Sequence, residues 1–194
     1  MRRFLNALMF VLGLLALYAV SVQFRTSVLR GLSPANFGSL FTTQSTVFAA
    51  LVLIFAPNRA GLRGAATLYM TITGVIYALF LAHGDRALWE WNNLVLHYLT
   101  PVALLAIWFV DPPALRSGYV ATIAAWLVYP CAYACYTLAR GTLVHWYPYG
   151  FLDPRGIGTG GVAGVIATIA VFAALVGYGL AWYAKHRRTA LQLT

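Results

Sequence analysis

Charged side chains are scarce in this sequence, and acidic ones are the scarcest. Only 9% of its 194 residues are charged, with four Asp and Glu against thirteen Lys and Arg. Soluble domains carry about 25% charged residues, so this composition does not suit a water-soluble surface. Hydrophobic residues make up 61% of the chain. The sequence therefore predicts an integral membrane protein that crosses the bilayer several times.

Cysteine is also rare, which argues against a disulfide-rich protein and against a zinc-binding protein. The only two cysteines, Cys131 and Cys135, lie four residues apart inside an apolar run. This spacing matches neither a disulfide framework nor a zinc motif. The glycines between 156 and 164 do not form a dinucleotide-binding fingerprint, because no strand precedes them. We therefore expect neither a metal nor a cofactor.

The excess of positive charge has a membrane explanation. A net charge of +9 would suggest nucleic acid as the partner of a soluble protein. Here the basic residues follow or precede apolar runs, where Lys and Arg contact lipid headgroups and set the orientation of the chain. We expect the membrane itself as the partner and no nucleic acid.

Six apolar segments are each close to the roughly 20 residues that a membrane-spanning helix requires. They cover about 4–24, 39–55, 64–82, 92–110, 118–138 and 161–183. The first resembles a signal peptide, but its apolar run is long and no cleavage site follows it, which favours a retained span. Loops are expected at 25–38, at 83–86 and at 140–160. The prediction is an all-α bundle of six transmembrane helices forming a single domain over 1–194.

The basic residues also predict an orientation. With the N-terminus in the cytoplasm, eight of the thirteen lie on the cytoplasmic side and five on the outer side. The inner set is Arg2, Arg3, Arg59, Arg63, Arg116, Lys185, Arg187 and Arg188, and the outer set is Arg25, Arg30, Arg86, Arg140 and Arg155. Because Lys and Arg favour the cytoplasmic side, both termini are predicted to be cytoplasmic.

Two polar interruptions stand at the starts of the second and fourth apolar segments. Thr42, Ser45 and Thr46 share one helix face, since they are three and four residues apart. Asn93 and His97 share a face in the same way. The predicted topology places both interruptions at similar depths beneath the outer surface. Polar residues in spans usually face protein or a water-filled cavity, so we predict that the two interruptions meet.

If the two interruptions meet, the hydroxyl of Thr42 lies beside the imidazole of His97. A threonine hydroxyl is a weak nucleophile until a neighbouring base accepts its proton, and histidine has a suitable pKa for that role. Asn93 could orient the His97 ring, and Gln44, Ser45 or Asn93 could donate to an oxyanion. The alternative is that Thr42 and Ser45 bond to backbone carbonyls and only hold helices together.

The long loop after the fifth segment is rich in aromatic residues. Trp146, Tyr147 and Tyr149 are typical of an interfacial aromatic belt, unless the loop folds back over the site as a lid. Asp153 is expected to cap a helix or to pair with Arg155.

Several short motifs, in this order and spacing, resemble one family. They are Phe41-Thr42-x-Gln44-Ser45, Tyr69-Met70-Thr71-x-Thr73-Gly74, Asn93-x-x-x-His97-Tyr98-x-x-Pro101, Tyr129-Pro130-x-x-Tyr133-x-x-Tyr136-Thr137-x-x-Arg140-Gly141 and Trp146-Tyr147-Pro148-Tyr149-x-Phe151-Leu152-Asp153. Together they resemble the bacterial Pr6Pr membrane proteins. These are similar to the animal androgen-induced and androgen-dependent membrane hydrolases.

The resemblance implies a multi-pass threonine hydrolase that cleaves esters of fatty acids with hydroxy fatty acids. It implies Thr42 as the nucleophile, with Thr43 as a register alternative, and His97 as the intramembrane histidine. Trp146, Tyr147 and Asp153 match the family's aromatic loop and are expected to support substrate binding. The expected location is the bacterial cytoplasmic membrane. A non-catalytic protein that binds or transports lipid is the alternative.

Overall fold

The structure is a computed structural model that describes residues 2–84 and 89–192. Within these residues it contains helices and no strand. The eight α-helices are α1 (Arg2–Leu29), α2 (Pro34–Gly38), α3 (Phe41–Phe55), α4 (Ala60–Ile76), α5 (Trp91–Leu94), α6 (Thr100–Val110), α7 (Tyr119–Val144) and α8 (Pro154–Gln192). A π-helical segment, Tyr77–Leu81, continues α4, and a second one, Val95–Leu99, joins α5 to α6 into one rod.

Five of these helical rods are long and apolar enough to cross a membrane. They are Arg2–Leu29, Ala60–Leu81, Trp91–Val110, Tyr119–Val144 and Pro154–Arg187. The remaining predicted span, 39–55, corresponds to α3, which has 15 residues. At 1.5 Å per residue α3 is about 22 Å long, which is shorter than the ~30 Å hydrocarbon core of a bilayer. The described part of the chain is thus all-helical, with five helices of membrane-spanning length and one shorter apolar helix.

The predicted loop at 25–38 is wrong over most of its length. Helix α1 continues through Arg25 to Leu29, because no glycine or proline interrupts it before Gly31, which has a φ of +95°. The short helix α2 then begins after Ser33, whose hydroxyl accepts a hydrogen bond from the Asn36 N–H. Ser33 therefore acts as an N-cap.

The predicted loop at 140–160 is also shorter in the structure. Helix α7 extends to Val144 and ends at His145, the one non-glycine residue with positive φ among those described (φ 53°). Helix α8 starts at Pro154 and bends at Gly158, where φ is +74°. The connection therefore covers 145–153. Of the predicted break at 83–86, Asp85 and Arg86 lie outside the described residues.

Helix α4 occupies the centre of the bundle. Every residue from Arg63 to Thr73 is buried, and the helix packs against α3, α6, α7 and α8. A helix that is buried on all sides needs small residues where its neighbours approach closely. Gly64 is such a position, because a Cβ there would lie 2.0 Å from Trp126 of α7.

Candidate functional site

Thr42 and His97 lie side by side at one end of the bundle. Thr42 is the second residue of α3, and His97 lies in the π-helical segment between α5 and α6. The Oγ1 atom of Thr42 is 3.4 Å from the Nε2 atom of His97. Tight catalytic hydrogen bonds span about 2.6–3.2 Å, and they are commonly longer before substrate binds. The contact expected from the sequence is therefore present.

The other ring nitrogen of His97 fixes the tautomer. His97 Nδ1 is 3.2 Å from the backbone carbonyl oxygen of Asn93. A carbonyl oxygen only accepts, so this contact requires a proton on Nδ1. In the neutral ring, Nε2 then carries the lone pair and faces the Thr42 hydroxyl. Asn93 thus orients His97 as predicted, although it does so with its backbone and not with its side chain.

Tyr77 packs against one face of the His97 imidazole. Its ring stacks on that of His97 with centroids 3.8 Å apart and an interplanar angle of 18°. The side-chain amide of Asn93 donates to the Tyr77 hydroxyl at 2.5 Å. Tyr77 was not predicted as a site residue, although it follows Thr73 by four residues and so extends the polar face of α4. His97 is only 8% exposed, so this packing restricts its ring to one orientation.

The π-helical segment also explains how His97 reaches α4. The N–H of Thr100 bonds to the carbonyl of Val95, five residues earlier, and Pro101 has no N–H to offer the His97 carbonyl. That carbonyl lies against Gly74, where an added Cβ would be 3.0 Å from its oxygen. Gly74 thus permits the close approach of the two rods.

The amino end of α3 supplies hydrogen-bond donors beside Thr42. The first backbone bond of this helix runs from Gln44 N–H to Leu40 C=O, so the preceding amides point out of the helix end. The amide of Thr42 donates to the hydroxyl of Tyr149 at 3.4 Å. The partial positive charge of a helix N-terminus stabilises an anion formed there.

Tyr149 belongs to the loop before α8, which folds back over the site. Its ring is half-buried and stacks on Phe151 with centroids 5.2 Å apart. Burial raises the pKa of Tyr149 above its usual value, so its hydroxyl stays protonated at neutral pH. The sequence places four aromatic residues in this loop, Trp146, Tyr147, Tyr149 and Phe151, and does not distinguish which of them reaches the site.

The other predicted loop residues lie away from Thr42. Arg140 lies over the ring of Trp146, and Arg155 lies over the ring of Tyr147. Asp153 forms an ion pair with Arg155 at 2.6 Å. Hydrogen bonding from the Arg155 side chain lowers the pKa of Asp153. These three predicted residues therefore shape the loop rather than contact the Thr–His pair.

Gln44 and Ser45, predicted as oxyanion donors, have other partners. The Gln44 amide donates to the Gly38 carbonyl at 2.9 Å, and its oxygen accepts from Tyr129 at 3.0 Å. The Ser45 hydroxyl is 2.9 Å from that of Thr73. Backbone amides and Tyr149 are thus the donors that the structure places nearest to Thr42.

Two cavities meet at Thr42. A narrow one of about 120 Å³ runs between α3, α4, α7 and α8. Its walls are mainly apolar and include Ile72, Ile76, Leu127, Ile166 and Ile169. A wider cavity of about 490 Å³ contains the polar groups of Thr43, Asn93 and His97. Thr42, Tyr77 and Tyr149 line both cavities.

Comparisons with known proteins give no match. No protein-family model matches the chain, and no curated protein and no solved structure matches it. The described residues contain no group of three or more His, Cys, Asp or Glu side chains placed to hold a metal ion. The fold and the site define an all-helical protein compatible with a multi-pass membrane location, with a threonine–histidine pair between two cavities.

Proposed function

We propose that this protein is an intramembrane lipid-ester hydrolase with Thr42 as nucleophile and His97 as base. One observation carries the proposal: the Thr42 hydroxyl faces the unprotonated nitrogen of an oriented histidine, at a helix N-terminus between two cavities. The sequence resemblance supplies the substrate class, which is esters of fatty acids with hydroxy fatty acids.

The chemistry requires no group beyond the protein and water. Nε2 of His97 accepts the hydroxyl proton as Oγ1 of Thr42 attacks the ester carbonyl carbon. The carbonyl oxygen becomes an oxyanion, which accepts hydrogen bonds from the α3 amides and from the Tyr149 hydroxyl. His97 then returns the proton to the departing alcohol oxygen, and the acyl group remains on Thr42.

The second half of the reaction restores the threonine. A water molecule attacks the acyl carbonyl carbon while Nε2 of His97 accepts one of its protons. The tetrahedral intermediate collapses, the bond to Oγ1 breaks, and His97 protonates Thr42. The products are a carboxylic acid and an alcohol, so the sum of the two halves is ester hydrolysis.

The two cavities match the two halves of such a substrate in polarity, with the narrow one taking the part of the chain next to the ester. The apolar cavity suits a hydrocarbon chain, because its burial there removes apolar surface from water. The wider cavity, which contains Asn93 and His97, suits the more polar alcohol half. The ester carbonyl would then lie at Thr42, where the cavities join.

We further propose six spans with both termini in the cytoplasm. In this arrangement α3 and the short α2 together form the second span. The Gln44 side chain of α3 connects them, because its amide donates to the carbonyl of Gly38 at the end of α2. The site then lies beneath the outer surface of a bacterial cytoplasmic membrane, accessible to lipid.

Binding or transport of lipid without hydrolysis is the second candidate. The apolar cavity favours it, since a cavity of this kind would hold an acyl chain whether or not Thr42 reacts. The two candidates differ in one respect, which is whether the Thr42 oxygen forms a covalent bond.

A fluorophosphonate probe tests the proposal directly. We expect the purified protein in detergent to form a stable adduct, and peptide mass spectrometry to locate it on Thr42. The same preparation should release free fatty acid from a fatty acid ester of a hydroxy fatty acid. Absence of both adduct and product, with the probe and ester shown to be active on a control esterase, would contradict hydrolysis and favour lipid binding.

Tyr149→Phe tests the proposed oxyanion donor. Removing one such donor typically lowers kcat by about 10²–10³-fold, and we expect a fall toward the lower end because the α3 amides remain. The substitution keeps the ring stacked on Phe151, so KM should change little. Tyr147→Phe is the matched control in the same loop, and its kcat should stay within about twofold. Equal losses in both variants would count against a donor role for Tyr149.

A further inference from the structure

A second cavity system lies at the opposite end of the bundle from Thr42. The ends of α1, α3, α4, α6 and α7 surround a cleft of about 540 Å³. Its volume lies within the roughly 300–1,000 Å³ of small-ligand sites. The length of α3, about 22 Å at 1.5 Å per residue, separates this cleft from the threonine–histidine pair.

Positive charge dominates the walls of the cleft. Its basic lining residues are Arg2, Arg59, Arg63 and Arg116. Among the lining residues described, Asp111 is the single acid. It is already paired, because Arg63 Nη1 lies 3.0 Å from its carboxylate. Three guanidinium groups therefore face the cleft without an acidic partner among its lining residues, which makes it attractive to an anion.

The buried Arg63 bonds to the segments that surround the cleft. It is only 2% exposed, and it bonds to the backbone carbonyls of Pro57 and Asp111 as well as to the Asp111 carboxylate. These bonds join the end of α3 to the end of α6. The loops that carry Arg59 and Arg116 are thereby held on facing sides of the cleft.

Two helices also begin at the cleft. Arg59 and Gly118 are the N-caps of α4 and α7, and neither helix has a side-chain cap or an acidic residue in its first turn. Ala60 and Gly61 at the start of α4, and Ser117 just before α7, line the cleft. Helix N-termini favour phosphate groups through their outward-pointing amides and their dipole, so the backbone adds to the attraction of the arginines.

We infer that this cleft binds the phosphate of an anionic phospholipid headgroup. Arginine forks match phosphate oxygens in pairs, and the two helix N-termini at the cleft also favour phosphate groups. The cleft lies where spanning helices end, and apolar residues such as Pro113, Leu115 and Ala121 share its walls. A lipid could thus place its headgroup among the arginines while its chains follow the helices. This site is independent of ester hydrolysis.

The test compares two double variants, each of which removes two positive charges from the same end of the molecule. Arg59→Gln with Arg116→Gln removes two exposed cleft charges, and leaves the buried Arg63 in place. Arg3→Gln with Arg187→Gln removes two exposed charges outside the cleft and is the matched control. Native mass spectrometry of the full chain measures Kd for dioctanoyl phosphatidylglycerol and dioctanoyl phosphatidylcholine. Glycerol phosphate is added as a soluble competitor.

We expect the wild-type chain to bind phosphatidylglycerol at least about tenfold more tightly than phosphatidylcholine. Each basic residue near a lipid surface contributes about 1 kcal/mol, so the cleft variant should raise the phosphatidylglycerol Kd about 10–30-fold. The control variant should stay within about threefold. A thermal melt of both variants checks that the fold is retained.

Two results would overturn the inference. Equal weakening by the cleft and control variants would show general surface attraction without a site. Tight binding of glycerol phosphate that depends on Arg59 and Arg116 would assign the cleft to a soluble phosphate compound instead of a lipid. Selective loss in the cleft variant, with no competition by glycerol phosphate, supports a lipid-borne phosphate.

Discussion

Thr42→Ala is expected to lower kcat for ester hydrolysis by at least about 1,000-fold, to the level of the residual catalysis that binding and oxyanion donors alone provide. The variant removes the atom that we propose forms the acyl intermediate, so fluorophosphonate labelling should disappear as well. Thr42 is half-buried at the start of α3, and its hydroxyl lies beside His97 and Tyr149. The fold should therefore tolerate the change.

Thr43→Ala is the matched control and also resolves the register alternative. Thr43 lines the wider cavity next to Thr42, and the same atoms are removed from the adjacent residue. It should keep most of its activity and all of its labelling. Thr42→Ser, which keeps the hydroxyl, should retain measurable turnover. Loss of labelling in Thr43→Ala but not in Thr42→Ala would move the nucleophile by one residue and overturn our assignment.

Gly64→Ala is expected to be the most destabilising small substitution in the bundle. The added Cβ would lie 2.0 Å from Cζ2 of Trp126. That ring cannot move aside easily, because its Nε1 donates to the Gly61 carbonyl at 2.8 Å and it packs in a T-shaped arrangement against the ring of Trp108. Overpacking of this kind costs about 1–3 kcal/mol, and more where the neighbours are rigid.

Gly61→Ala provides the comparison on the same helix. A Cβ at Gly61 meets no atom within 4 Å among those described, and alanine favours helix over glycine by about 0.5–1 kcal/mol. We expect its thermal midpoint to equal or exceed that of the wild-type chain, whereas that of Gly64→Ala should fall by several degrees. Equal midpoints for the two variants would show that α4 and α7 are not packed as described.

Local sequence features determined the fold class. The low charge and long apolar runs indicated membrane helices, and the limits of the rod Trp91–Val110 follow the predicted segment 92–110 closely. The same features wrongly predicted loops over most of 25–38 and 140–160, where polar and charged residues continue helices in the structure. Polarity predicts where water or headgroups lie, while a helix ends only where its backbone is interrupted, as at Gly31 and His145.

The pairing of Thr42 with His97 was predicted from the two polar interruptions and from their similar depths in the membrane. Each residue belongs to a polar interruption, and polar groups in a membrane interior gain most by facing one another. The hydrogen-bond partners of the neighbouring polar side chains could not be predicted in the same way, because they depend on which residues the fold brings together. Gln44 and Ser45 are close to Thr42 in sequence, yet Gln44 bonds to Gly38 and Tyr129, and the Ser45 hydroxyl bonds to the Thr42 carbonyl and to Thr73.

The sequence by itself determined that this chain forms helices suited to a membrane, and that an alcohol and an imidazole lie near the start of two of them. Tertiary structure alone decided which face of His97 is covered by Tyr77, which aromatic ring of the loop reaches Thr42, and that four arginines from distant positions share one cleft. The physical reason is that apolar patterning is a property of each segment. Contacts between segments depend on small residues such as Gly74 and Gly64, whose effect appears only when two helices approach.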